Sequence, residues 1–200
     1  MSTYANRGMT LETIVTYSLD RYRIHGEAVI TKQHTKFIPL RNRSGQVVNC
    51  KVEEKATVDF VGRCRDIPVA IETKNTNTNR IRFEEVQDHQ CRFMEDWILE
   101  EKAASVVFVA FNNLDRFFAV PWECWRLGRK LWKEAGRTGE KCRRETVIWN
   151  GIPWKTPGKA SVSPEELLPE WEVKRDARHG LAVLENIELY TGQKKDRNDT

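Results

Sequence analysis

Two short runs of β-type residues, 57–64 and 67–74, constrain the fold of this chain more than any other feature. Both runs are rich in apolar and β-branched residues, and only residues 65–66 separate them, which is typical of two strands joined by a tight turn. In such an antiparallel pair, Asp59 falls directly opposite Glu72, because the position of the turn sets the register. The sequence therefore predicts that two carboxylates meet across neighbouring strands.

A lysine completes this polar patch. Alternate side chains of a strand share a face, so Lys74 projects with Glu72 while Thr73 points the other way. Two carboxylates and an amine suit phosphodiester hydrolysis assisted by a hard divalent cation, because carboxylate oxygens favour magnesium or manganese and the lysine can help activate the attacking water. The competing interpretation is a plain salt bridge between Glu72 and Lys74, and the E-x-K spacing alone does not separate the two.

Further segments accompany the hairpin in a recognisable order. Residues 6–12 read N-R-G-M-T-L-E, residues 28–32 form a short strand pattern, and residues 89–90 read H-Q, while the two strand motifs read T-V-D-F at 57–60 and I-E-T-K at 71–74. This combination resembles the PD-(D/E)XK nuclease core and, more specifically, the RecU-type Holliday junction resolvases. That family usually shows T-T-D-Y and F-E-A-K at the two strand motifs, and the differences spare both carboxylates and the lysine.

The resemblance runs clearly from about residue 5 to residue 120, more faintly to about 190, and it implies roles for particular residues. On the residues alone, Glu12 is typical of a solvated charge on an amphipathic helix, and Gln90 of a polar position on a half-exposed helix. The resemblance implies instead that Lys74 activates the water, with Gln90 and Thr57 assisting near the scissile phosphate. The implied ligands of magnesium (Mg²⁺) or manganese are Asp59, Glu72, Glu12 and the backbone carbonyl of Thr73.

Positive charge is concentrated in two segments, although the formal net charge is only +4. Residues 21–51 carry seven Lys or Arg against one acidic residue, and residues 121–160 carry ten against four. Basic segments beside an acidic centre suit a DNA-cutting enzyme, because they hold phosphates that carboxylates would repel. Ordinary solvated surface is the competing explanation. The candidate DNA-binding residues are Arg7, Lys32, Lys36, Arg41, Arg43 and Arg80.

Five of the seven tryptophans lie in the second basic segment. The spacing of Trp122, Trp125 and Trp132 predicts one stripe of a helix that packs in the core. Trp149 and Trp154 have two interpretations, because they suit either core packing or stacking on an unpaired base.

The remaining pattern gives an α/β order. Periodicity predicts helices over 10–24 and about 83–102, and Ser163 to Glu166 fits a helix start with a capping box. The predicted strands beside the hairpin cover 27–32, 36–41, 47–52, 105–111 and 116–120.

The resemblance adds an architecture to this order. It implies a restriction-endonuclease-like core, with a central mixed β-sheet flanked by helices and a basic segment, about 32–51, that projects as a stalk or hairpin. We expect a single nuclease domain over 1–192, whose C-terminal region from about 121 to 192 is helical, and a disordered tail over 193–200.

The leading functional hypothesis is a metal-dependent endonuclease that resolves four-way DNA junctions by symmetric paired nicks. Two like cuts call for two sites related by a twofold axis, so we expect a homodimer, with branch-migration machinery as a further partner. The sequence has no bilayer-length apolar run and no signal peptide, which favours a soluble protein of a bacterial or phage-infected cytoplasm. The competing hypotheses are a nuclease of the same core acting on other branched or duplex DNA, and a non-catalytic DNA-binding accessory protein of recombination.

Overall fold

The computed structural model describes residues 10–54, 56–99, 102–185 and 187–191, so Arg7 and the predicted tail lie outside the described residues. The α-helices are α1 (Leu11–Ile24), α2 (Asp88–Trp97) and α3 (Trp122–Thr138). The strands are β1 (Ala28–Lys32), β2 (Lys36–Arg41), β3 (Val47–Glu54), β4 (Phe60–Cys64), β5 (Ile67–Thr76), β6 (Ile81–Arg82), β7 (Ala104–Phe111), β8 (Arg116–Pro121), β9 (Thr146–Trp149), β10 (Ile152–Lys155), β11 (Ser161–Val162), β12 (Arg175–Asp176) and β13 (Gly180–Leu181).

A five-stranded mixed sheet with the order β1-β4-β5-β7-β8 forms the centre of the fold. β5 and β7 run parallel, whereas the other neighbouring strands pair antiparallel. All eight residues of β7 are buried, as expected of a central strand without hydrophobic alternation, and both α2 and α3 pack against it. The predicted α/β class, with a mixed sheet flanked by helices, is therefore confirmed.

The hairpin of β4 and β5 has the predicted register. Phe60 pairs with Ile71, and the turn places Arg65 at φ 54°, in the left-handed region. Continuing the same register by one residue puts Asp59 opposite Glu72. The turn position read from the sequence was thus sufficient to align these two carboxylates.

Helix α1 follows the predicted amphipathic pattern. It begins after Thr10, whose Oγ1 accepts a 3.2 Å hydrogen bond from the backbone N–H of Thr13, and its stripe of buried residues includes Val15 and Leu19. The helix packs against β1 and ends at Gly26, which takes φ 71°. Among the described residues, no helix has both the length and the hydropathy needed to cross a membrane.

Strands β2 and β3 form a separate two-stranded sheet within the predicted basic segment. Every side chain from residue 38 to residue 51 is exposed, so this hairpin projects from the body of the protein. Its turn is held by Asn42, whose Oδ1 accepts hydrogen bonds from the backbone N–H groups of Ser44 and Gln46.

The helix predicted over about 83–102 is shorter than expected. Helix α2 begins only at Asp88, because Gln87 and Gln90 form a capping box in which each side chain accepts a hydrogen bond from the other's backbone N–H. A single 3-10 turn over Phe83–Glu85 precedes this cap. The capping box therefore places Gln90 in the first turn of α2, facing the sheet.

The C-terminal third is less helical than predicted. Helix α3 buries Trp122 and Trp125 as expected, but the chain beyond it forms the β9–β10 hairpin, short strand pairs and single 3-10 turns. The capping box from Ser163 to Glu166 is confirmed, although it starts only one 3-10 turn.

Trp149 and Trp154 belong to the core. Their rings lie 5.5 and 5.4 Å from the ring of Trp171, measured between centroids, and both residues are buried. The indole N–H of Trp154 donates to the backbone carbonyl of Glu166 at 2.8 Å. The alternative of stacking on an unpaired base is therefore wrong for both residues.

Candidate active site

Asp59 is fixed immediately before β4, where three segments meet. Its Oδ2 accepts hydrogen bonds from the backbone N–H of Thr73 at 2.8 Å and from the Thr73 hydroxyl at 2.5 Å. Its backbone carbonyl accepts from the N–H of Gln33 at 2.7 Å. Both bonds to the carboxylate fall on Oδ2, which leaves Oδ1 available to a ligand.

Glu72 is a buried carboxylate with an unsatisfied oxygen. Its side chain is 1% exposed, and its Oε1 lies 2.6 Å from Nζ of Lys74 and 2.6 Å from Nε2 of Gln90. The other oxygen, Oε2, is buried and has no hydrogen-bond partner among the described residues. Burial, together with the charge of Asp59, raises the pKa of Glu72, the ion pair with Lys74 opposes both, and the net pKa is about 7.

Lys74 connects the buried carboxylate to the surface. Its side chain is 17% exposed, and Nζ lies 3.4 Å from Oε1 of Gln90 in addition to its contact with Glu72. The same Gln90 oxygen accepts from the backbone N–H of Gln87 at 2.8 Å, which fixes the orientation of the amide. The plain salt bridge between Glu72 and Lys74 is therefore present, but it belongs to a larger polar group that also includes the half-buried Gln90.

The structure does not bring Glu12 into this group. The Glu12 carboxylate pairs with Lys32 at 2.5 Å, and Lys32 pairs with Phe60 in the sheet, next to Asp59. In the described part of the chain, no three His, Cys, Asp or Glu side chains are arranged to hold a metal. Thr57 is half-buried two residues before Asp59.

The candidate DNA-binding residues fall into two groups. Lys36, Arg41 and Arg43 are exposed on the projecting hairpin, where Arg41 also donates to the backbone carbonyl of Gly45 at 2.8 Å. Arg80 instead donates hydrogen bonds within the protein. Its partners are Ser161 and, at 2.7 Å, the carboxylate of Glu166. The Arg80 guanidinium thus stabilises the position of β11.

The oxygens at the centre of the site suit a hard cation. A buried carboxylate oxygen without a donor is costly, so Oε2 of Glu72 calls for a counter-charge, and the half-buried carboxylate of Asp59 accepts its two hydrogen bonds from Thr73 on Oδ2 alone. Magnesium and manganese prefer such oxygen donors. The carboxylates of Asp59 and Glu72 therefore offer the kind of oxygen donor that fits a divalent cation.

Sequence reasoning missed the contribution of the Thr73 side chain, which was assigned only a backbone role. Its hydroxyl anchors Asp59, and the F-E-A-K pattern of the resembling family has alanine at this position. The signal was therefore visible as a departure from that pattern, at the residue between Glu72 and Lys74.

The fold and the site together define an α/β protein whose mixed sheet carries a buried carboxylate–lysine pair beside a second carboxylate. A family model described as Recombination protein U matches residues 6–151. This span is well over half of the chain, and the chain therefore belongs to the RecU family.

Curated relatives carry the name Holliday junction resolvase RecU, which denotes an endonuclease. The relative from Mycoplasmopsis pulmonis is 26% identical over 113 residues, which cover 56% of this chain and 68% of that protein. The relative from Ureaplasma parvum is 24% identical over 118 residues, or 59% of this chain and 68% of that protein. The relative from Streptococcus sanguinis is 28% identical over 125 residues, or 59% of this chain and 62% of that protein.

Proposed function

We propose that this protein is a Holliday junction resolvase, an endonuclease that cuts four-way DNA junctions with the help of magnesium or manganese. The observation that carries the proposal is the buried Glu72 carboxylate, held by the half-buried Lys74 and Gln90 beside Asp59, in a chain of the RecU family. A salt bridge built only for stability would have no need of an unsatisfied carboxylate oxygen next to a second carboxylate.

The protein residues divide the chemical work. Asp59 and Glu72 would hold the cation, with the carbonyl of Thr73 and, after rearrangement of its ion pair with Lys32, Glu12 as further ligands. When bound, the cation would offset negative charge on the scissile phosphate and lower the pKa of a bound water.

Lys74 lies where it can orient the attacking water. Its ammonium contacts the Glu72 carboxylate and the Gln90 amide, which leaves one of its three N–H donors for a water. Thr57 would contact the phosphate from the segment that precedes β4. Attack in line at phosphorus would leave a 5′-phosphate and a 3′-hydroxyl.

Symmetric nicks require two copies of this site. We propose a homodimer in which each restriction-endonuclease-like domain, over 1–192, cuts one strand of the junction. The exposed hairpin of β2 and β3 would contact the branch point through Lys36, Arg41 and Arg43, and Arg7 would contact phosphates beside the first helix. Such a protein would act on cytoplasmic DNA of a bacterium or of a phage-infected host, alongside branch-migration machinery.

A cleavage comparison tests this function. A synthetic four-way junction and a linear duplex of the same sequence are incubated with the protein, with and without magnesium, and the strands are resolved on a denaturing gel. The proposal predicts magnesium-dependent, paired nicks in the junction and far slower cutting of the duplex. Equal cutting of both would identify a nuclease of another specificity, and binding without any cutting would identify an accessory protein.

A further inference from the structure

A strongly basic cavity of about 620 Å³ lies between α2 and α3, outside the site described above. Two carboxylates, Glu95 and Glu123, line it together with a larger number of cations, while Cys91, Trp122, Leu127 and Val147 supply its apolar wall. The lining cations are Arg126, Arg129, Lys130, Lys133 and Arg137. The excess of positive charge favours an anionic occupant.

The cations form one stripe along α3. They follow Arg126 by three, four, seven and eleven residues, which places them on one helical face, and Arg126 and Arg137 are separated by about 16 Å along the axis. A strand of duplex DNA places successive phosphates about 3.4 Å apart along its axis. The stripe is therefore long enough to follow several consecutive phosphates.

The stripe adjoins the candidate active site. Arg129 and Lys133 reach Oδ1 of Asp88 at 2.6 and 2.9 Å, and this contact lowers the pKa of Asp88 to about 2. Asp88 stands in the same first turn of α2 as Gln90, which contacts Glu72. The middle of the stripe thus contacts the helical turn that carries Gln90.

The cations of the stripe differ in how closely acidic side chains engage them. Arg129 and Lys133 are engaged by Asp88, and Lys130 lies 3.9 Å from Glu134. Arg126 and Arg137 are exposed and form no salt bridge within the described ranges, although the charge of Arg126 acts on the nearby carboxylate of Glu123. A phosphate bound beside these two side chains would gain the most electrostatic stabilisation.

We propose that this cavity binds the sugar–phosphate backbone of the DNA arm that leads to the cut site, with Arg126 and Arg137 as direct phosphate contacts. The inference rests on the proposed nuclease function. It adds a binding track, meaning the surface of the cavity along which the DNA backbone would lie. The charge complementarity and the contact with the first turn of α2 distinguish this track from the hairpin contacts, which belong to a different element.

The test is a salt series of DNA binding in the absence of divalent ions. Full-length wild type, the double variant Arg126→Gln/Arg137→Gln and a control are titrated into a labelled duplex and a labelled four-way junction, and anisotropy gives the dissociation constants. The control is Arg23→Gln/Lys102→Gln, which removes the same charge from exposed positions. Lys102 lies 3.9 Å from Asp66 in the turn between β4 and β5, and Arg23 stands in the last turn of α1, just before β1 begins opposite Cys64.

The proposal predicts that the stripe variant binds both DNAs on the order of tenfold more weakly near 100 mM salt. It also predicts that the slope of log affinity against log salt falls by about 1.8, since each phosphate contact contributes about 0.9. The control should retain the wild-type slope. A stripe variant with wild-type affinity and slope, or a control that loses as much, would overturn the inference.

The same titrations keep the two proposals separate. Wild-type cutting of the junction is assayed in parallel with magnesium, and its absence would count against the nuclease function alone. Even then, duplex binding by the stripe variant and the control still decides whether this cavity is a phosphate track. Thermal unfolding of each variant verifies that the substitutions at these exposed positions leave the fold intact.

Discussion

The amide nitrogen of Gln90 lies 2.6 Å from Oε1 of Glu72, across a sequence separation of 18 residues that joins α2 to β5. Through its other amide atom, Gln90 also contacts Lys74 and the backbone of Gln87. One side chain therefore caps a helix, orients a buried carboxylate and positions an amine. The geometry of the site depends on the placement of this helix.

Replacing Gln90 with alanine should slow junction cutting by roughly 10–100-fold, the usual cost of losing a residue that orients a metal ligand. Junction affinity without divalent ions should change little. The matched control is Gln87→Ala, which removes the other half of the capping box but keeps the amide that contacts Glu72. Single-turnover cleavage would separate the two, and equal losses in both variants would mean that Gln90 acts only through the helix.

The hydroxyl of Thr73 should stabilise the fold more than it accelerates the reaction. Thr73→Val removes the hydrogen bond to Asp59 but keeps the backbone N–H bond, so we expect a loss of about 2 kcal/mol in the free energy of unfolding and only a small change in cutting. Thr73→Ser keeps the donor and serves as the control. Urea unfolding measures the difference, and a valine variant as stable as the serine variant would contradict the prediction.

Glu72 should make the metal-free protein less stable as the pH rises. The folded protein holds the Glu72 proton up to about pH 7, whereas an ordinary glutamate releases it near 4.5, so the stabilisation is complete below that lower value and is lost as the pH approaches 7 and beyond. The full effect is about 3 kcal/mol at most, at about 1.36 kcal/mol for each pKa unit.

The substitution Glu72→Gln isolates this term, because glutamine has the same shape and does not titrate. Urea unfolding at pH 5 and pH 8 without divalent ions should show the variant gaining stability relative to wild type at the higher pH. The difference between the two proteins removes the contributions of other carboxylates. A difference that does not change with pH would show that Glu72 is already ionised in the folded protein.

Gly62 should be intolerant of any side chain, because a Cβ at this position of β4 would lie 2.1 Å from the backbone carbonyl oxygen of Val29 on β1. Gly62→Ala should therefore reduce the free energy of unfolding by about 1–3 kcal/mol or force β1 away from β4. Gly136→Ala on α3 is the control, since its Cβ would meet nothing within 4 Å and should add about 0.5–1 kcal/mol of stability. Urea unfolding measures both variants. A Gly62→Ala variant that unfolds at the wild-type urea midpoint would contradict the close approach of β1 to β4 at this glycine.

The hairpin and the first helix could be predicted because local patterns determine them. A two-residue turn sets which residues of β4 and β5 face each other, so the opposition of Asp59 and Glu72 followed from the positions of the turn residues. The stripe of buried residues in α1 likewise follows from helical periodicity.

Long-range side-chain contacts left no comparable signal. Asp88 and Arg129 are 41 residues apart and belong to helices whose packing depends on the whole sheet. The burial of Trp149 and Trp154 depends in the same way on Trp171. The depth of Glu72 in the core could not be read from the alternation of its strand, because both faces of β5 are covered at this point.

The central claim is that Asp59 acts in cutting rather than in binding, and Asp59→Asn tests it most directly, because asparagine keeps the size of the side chain and removes its charge. Single-turnover cleavage of a labelled four-way junction with magnesium is measured beside junction binding without it. We expect the variant to bind the junction within about twofold of the wild-type affinity. We expect its cleavage rate to fall by more than about 100-fold, which is the largest usual loss for a residue that only orients a metal ligand. A variant that nicks the junction at the wild-type rate would contradict the assignment of this site.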